Sequence, residues 1–277
     1  ERLDGMADED QASLWDMIDS WATATVDDNV KATLRERIRR FAFTRRGRMR
    51  GLKQATRDRA REAYAKLEPR DPVIRHAWLF ANQWVEESPD EMEDEDLDYS
   101  KREERIQRLR AEAVKEIWAE RSFDGITALL SRSGAPHTVG WFAAACVPGS
   151  AAAVAFLKKC LSVGGELERK LDGCMQGFLL LVDAGIRSAV LSEAAEDASA
   201  GHIARLFRCA PFDDETWRLL DGQDKEIRDQ YWRDVVPTWN RHTDAERIEL
   251  VDRLLDARRP RAAFHAVHMD WDKVEAS

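Results

Sequence analysis

The sequence predicts an all-α protein: an irregular α-solenoid of stacked helical hairpins of the HEAT or tetratricopeptide kind, with a compact irregular helical bundle as the alternative. Three observations predict it. Apolar residues recur every three to four positions along most of the chain, the period of one helix face. Alternating apolar–polar runs are nearly absent, and no Asn-Gly or Asp-Gly pair has strand-like flanks. The 14 glycines fall mostly between periodic segments, in links of a few residues. Short amphipathic helices joined by short links bury a continuous core only by stacking pairwise. No exact repeat period is present, which excludes a clean ankyrin or consensus tetratricopeptide array.

A first helix is predicted over 10–26, with Leu14, Trp15, Ile18 and Trp21 on one face. A second follows Asp27–Asn29, its stripe formed by Val30, Leu34, Ile38 and Phe41, and Thr44–Gly51 breaks it. A third spans Leu52 to Leu67, stopped by Pro69 and Pro72. A fourth, Val73–Glu87, is apolar over more than half its circumference, which predicts deep burial of Trp78 and Trp84. The stretch SPDEMEDEDLDYS, with seven acids from Asp90 to Asp98, lacks periodicity and reads as a solvated loop. Ser100 and Glu103 form a capping box opening a helix to Arg121. Short helices then follow at Phe123–Ser131, Thr138–Cys146, Ser150–Ser162, Leu167–Ala184 and Ser188–Asp197. The remainder are predicted at Ala200–Cys209, Asp213–Leu220, Asp224–Val235, Asp244–Ala257 and Arg261–Met269. Thr243 and Glu246 form a second capping box. The expected organisation is an N-terminal helical region (1–87) carrying arginine-rich helices, an acidic loop (88–99) and a helical-repeat stack (100–277).

The chain has 277 residues, 34% of them charged, and a net charge of −9. No apolar run approaches the ~20 residues that span a bilayer, and the acidic N-terminus has no signal-peptide profile. Both ends read as cuts from a longer protein. Cys146, Cys160, Cys174 and Cys209 contain no C-x-x-C pair, so zinc ribbons and thioredoxin chemistry are disfavoured and buried thiols in a reducing cytoplasm are expected.

Several phrases after residue 60 carry a resemblance: EPRDPVIRHAWLFANQWVEES (68–88), FDGITALLSRSGAPHTVG (123–140), CAPFDDETWRLLDG (209–222), DQYWRDVVPTW (229–239) and VDRLLDARRPRAAFHAVH (251–268). These resemble helical-repeat segments of large bacterial multidomain proteins, among them STAND-type signal-transduction NTPases, in which a helical-repeat sensor follows an ATPase module. The phrases are packing signatures and carry no functional residue over. The resemblance alone implies a place in phage defence. No G-x-x-x-x-G-K-[ST] occurs here, so a nucleotide-hydrolysing module would lie elsewhere in such a parent.

The strongest candidate site is the run RERIRRFAFTRRGRMRGLKQATRDRAR (35–61), with eleven Arg and one Lys against Glu36 and Asp58. Arg45, Arg46, Arg48, Arg50 and Lys53, beside Gly47 and Gly51, form a candidate phosphate or nucleic-acid contact. The blander reading makes the same arginines the wet sides of two helices, partly neutralised by the acidic loop. That loop lacks the glycine and ligand spacing of an EF-hand. His265 and His268 are only two ligands, too few for a metal site. Ser131, Ser133 and His137 are close in sequence but belong to an interhelix loop. Tyr231, Trp232 and Trp239, flanking Pro237, could line a groove for a partner peptide, although ten tryptophans in a helical stack are first of all core fillers. No catalytic, metal or cofactor residues are expected. The leading expectation is a non-catalytic cytoplasmic scaffold or sensor that binds a protein partner or packs on its parent's other domains. The rival is a helical domain that contacts nucleic acid.

Overall fold

The computed structural model describes residues 8–24, 27–43, 52–85, 99–237 and 243–267. Among them are fourteen α-helices and no strand. In chain order these are α1 (Asp8–Thr23), α2 (Asp28–Ile38), α3 (Gln54–Lys66), α4 (Pro72–His76), α5 (Tyr99–Arg132), α6 (Pro136–Cys146) and α7 (Gly149–Ser162). They continue as α8 (Glu168–Leu181), α9 (Ala184–Ala195), α10 (Ala200–Cys209), α11 (Asp214–Asp221), α12 (Lys225–Asp234), α13 (Asp244–Asp256) and α14 (Pro260–Val267). The chain forms two compact units, 1–135 and 136–277.

In the first unit, Trp15 and Ala22 of α1 meet Ala60, Ala63 and Tyr64 of α3, with Leu67 just beyond it, and Ile38 of α2 joins them. A π-helical turn, Arg39–Phe43, extends α2. Its wider turn rotates the register, so that Ala42 and Phe43 are buried while Val30 is exposed and Phe41 only half-buried. The predicted stripe therefore holds at Leu34 and Ile38 and fails at both ends. Phe43 packs edge-on against Tyr64, ring centroids 5.2 Å apart.

The fourth predicted helix is shorter than its pattern. It starts at Pro72, with the Asp71 side chain accepting from Val73 N (2.9 Å), and passes into a 3₁₀ turn, Ala77–Phe80. Tertiary contacts capture the carbonyls that a longer helix would use. Phe80 O accepts from Gly134 N (3.0 Å), Ala135 N (3.2 Å) and Ser133 Oγ (2.9 Å). Arg110, only 4% exposed, donates to Leu79 O (3.0 Å), Asn82 O (3.3 Å) and Gln83 O (2.9 Å). Arg102 donates to Val85 O (2.8 Å). Trp84 is consequently not buried but 80% exposed.

α5 bends at Ser122, whose φ of 49° lies in the left-handed region. The two predicted helices on either side are thus its two arms. It begins at Tyr99, so Ser100 falls inside the first turn rather than capping it, and the Glu103 side chain accepts from Gln107 instead. The second predicted capping box, Thr243 with Glu246, is present.

The second unit is a ladder of helices. α6, α8, α10 and α12 pack in succession, α7, α9 and α11 do the same, and cross-packing of α7 with α8, α9 with α10 and α11 with α12 ties the rows together. α13 packs on α12, and α14 on α13. This is the local geometry of stacked helical hairpins. α6 and α8 approach most closely, because Gly140 faces the Cys174 carbonyl and Gly177 faces the His137 carbonyl with no side chain between. Phe156 of α7 stacks on Phe178 of α8 (4.6 Å). The buried Arg205 of α10 binds Asp172 (2.6 Å) and the carbonyls of Glu168 (3.1 Å) and Leu161 (3.4 Å), closing the ends of α7 and α8. The cysteines are free thiols. Cys160, Cys174 and Cys209 are buried, and burial pushes the Cys174 thiol up to about 12.

Candidate functional site

The i, i+4 spacing of Arg35 and Arg39 sets two guanidinium groups on one side of α2, which faces α3 and α4. Arg35 lies over the Tyr64 ring (4.1 Å to the centroid) and bonds Glu68 (3.1 Å); its Nε is buried without an acceptor. Arg39, 6% exposed, is held by Glu36 in a two-pronged pair (2.7 and 2.9 Å) and lies over the Trp78 ring (5.0 Å). Arg40 also reaches Glu36 (2.8 Å) but keeps 70% of its side chain in solvent. Arg75 is anchored by Pro69 O (3.1 Å), Arg70 O (2.8 Å) and Glu116 (3.2 Å). Arg132 bonds Asn29 Oδ1 (2.6 Å).

These side chains open onto one cleft of about 920 Å³ within the first unit. Its walls carry six arginines (35, 37, 39, 40, 75 and 132) against one carboxylate, Glu36, a net +5. Glu68 and Glu116, outside the lining, offset part of that charge through Arg35 and Arg75. Tyr64, Trp78 and Trp84 supply the aromatic surface. Arg37 is exposed and has no hydrogen-bond or ion-pair partner among the described residues. The lining contains no Cys, His or Ser. Glu36 is an anchored anion: burial pushes its carboxyl up, but the hydrogen bonds and charges of Arg39 and Arg40 outweigh this and hold it below its ordinary 4.5. The set is therefore built to bind anions, and its one carboxylate is poorly suited to moving protons at neutral pH.

The same pairing predicts a pH dependence. A carboxyl whose folded pKa is depressed stabilises the fold above its unfolded value and loses that contribution as pH falls through the folded one. The melting temperature of the first unit should decline below about pH 4.5, and Glu36→Gln should lower it at pH 7 while flattening that decline. A wild-type decline that Glu36→Gln leaves unchanged would assign it to other groups.

Of the residues singled out from sequence, Arg45, Arg46, Arg48 and Arg50 lie outside the described residues. Lys53 is exposed at the start of α3 and does not line the cleft. Further along the run, Arg59 bonds Asp16 and Asp19, and Arg61 bonds Asp58 (3.4 Å). These arginines are wet helix faces neutralised by neighbouring acids; the acidic loop lies outside the described residues. Tyr231 and Trp232 are buried, edge to face at 5.1 Å, with Phe212 and Trp217 around them and Arg253 over the Trp232 ring (5.4 Å). Trp239 lies outside the described residues. Ser131 donates to Ala128 O (2.7 Å) and Ser133 to Phe80 O, so both hydroxyls serve the backbone. His265 is exposed and His268 lies outside the described residues. No group of three metal-ligating side chains occurs among the described residues.

Sequence reasoning missed Trp84, Arg75 and Arg132. Arg75 and Arg132 lie far along the chain from Arg35, and no local spacing announces their convergence. Trp84 was hidden by an apparent helix that the fold does not form. No family model, curated protein or solved structure matches the chain.

Proposed function

We propose that this chain is a non-catalytic helical-repeat binding scaffold, part of a larger bacterial protein, whose first unit takes an anionic ligand in the arginine cleft. The observation that carries the reading is the convergence of six arginines from α2, α4 and α5 on one cleft in a protein of net charge −9. Cations gathered against the overall charge serve to attract and orient an anion. The four free thiols support a reducing compartment, and no described helix is long and apolar enough to cross a membrane.

The test is fluorescence anisotropy of labelled oligonucleotides, used as defined polyanions, between 50 and 200 mM salt. Affinity should fall steeply with salt, and Arg37→Ala/Arg40→Ala should lower the slope by about 1.4 for a single strand, ~0.7 per lost phosphate contact. Absence of binding at low salt would overturn the reading.

A second reading, a scaffold for a protein partner, draws on Leu180, Leu181 and Ile186, which stand exposed around the α8–α9 link. It becomes the leading one if polyanions do not bind.

A further inference from the structure

We infer that the ligand of the cleft carries a nucleobase as well as phosphate, presented by single-stranded nucleic acid or by a free nucleotide, with the base on Trp84 and phosphate on Arg37 and Arg40. This rests on the anion-binding reading above and narrows it.

Trp84 is the argument. A tryptophan commonly buries 150–250 Å², yet this one is 80% exposed, has no ring contact among the described residues, and lines an otherwise arginine-rich cleft. Trp78, in the same cleft, already has the Arg39 guanidinium over its ring. Inorganic phosphate or an acidic peptide would use the arginines and leave Trp84 in water. Duplex DNA would do the same, since its bases are stacked inward and its phosphates face out. An unstacked base beside its own phosphate uses both surfaces, the combination by which single-strand sites work. The cleft is also of small-ligand size, at the upper end of the usual 300–1,000 Å³. Arg37 and Arg40 are the exposed cations available to phosphate. Arg35 and Arg39, buried and stacked on rings, raise the local potential without needing to touch it.

The experiment compares a labelled oligothymidylate with an abasic strand of equal length and charge, on the full chain and on Trp84→Ala and Trp84→Phe. Because the side chain is exposed, neither substitution should shift the melting temperature. Trp84→Ala should weaken the base-bearing strand about 5- to 100-fold, the range that base–aromatic stacking supplies. It should leave the abasic strand nearly unchanged, and Trp84→Phe should retain most of the affinity. Competition with AMP separates the two sources: displacement identifies the free nucleotide, and failure to displace identifies the strand. Equal effects of Trp84→Ala on both strands, or no effect on either, would overturn the base contact. If Arg37→Ala/Arg40→Ala still weakened binding in that case, the anion site would stand without it. If no strand bound at low salt, both would fall together.

Discussion

Gly140→Ala and Gly177→Ala should each lower the melting temperature of the second unit by about 6–12 °C, from a loss of about 3 kcal/mol. A Cβ at either position would land on a backbone carbonyl of the facing helix, Cys174 O in one case and His137 O in the other, far inside contact distance. Backbone cannot rotate out of the way as a side chain can. α6 and α8 would have to separate, loosening Val139, Phe142 and Phe178, all buried along that seam. Alanine gains up to about 1 kcal/mol of helix propensity over glycine, so the net sign depends on the clash exceeding that gain, which it does here. Gly201→Ala is the control. Its nearest neighbour would be the flexible end of Gln230, 3.9 Å away, and its effect should stay within about 0.5 kcal/mol. Circular dichroism melts decide the matter; a Gly140→Ala protein that melts like wild type would mean that the helices do not meet this closely.

Arg110→Met should cost the first unit about 3 kcal/mol. Methionine keeps most of the apolar stem and removes the guanidinium that holds three carbonyls. The bond to Leu79 O is buried and has no replacement; those to Asn82 and Gln83 are half-exposed and can recover water. Arg110→Lys should rescue less than half, because an ammonium is a point charge and cannot span three acceptors as a planar fork does. Hydrogen exchange should show faster opening over residues 79–85 in Arg110→Met, and oligonucleotide affinity should fall in step, since that segment carries Trp84. Unchanged protection would remove Arg110 from the support of the cleft.

Those two sites show what local pattern records and what it leaves out. Helix existence was legible almost throughout, because amphipathic spacing and caps such as Asp71 and Thr243 act over a few residues. The end of α4 was not, since the groups that stop it, Arg110 and the 133–135 turn, lie roughly thirty to fifty residues away and compete for carbonyls by tertiary contact. The burial pattern near Phe41 was misread because one π turn shifts the phase of everything after it. The arginine run was visible as charge. Which of its members are neutralised on a helix face and which enter a cleft depended on acids and aromatics supplied by α1, α3 and α4.

The ladder of the second unit has a consequence for how such a chain can change length. Every substantial helix contact there joins helices no more than three places apart in order. A hairpin added or removed therefore disturbs one joint and leaves the others as they were, whereas a core that closes on itself would have to be repacked throughout. What must be preserved is the fit between neighbours, such as glycine against carbonyl or arginine against a helix end. Individual helices are free to drift apart in sequence, and modular growth need leave no periodic trace.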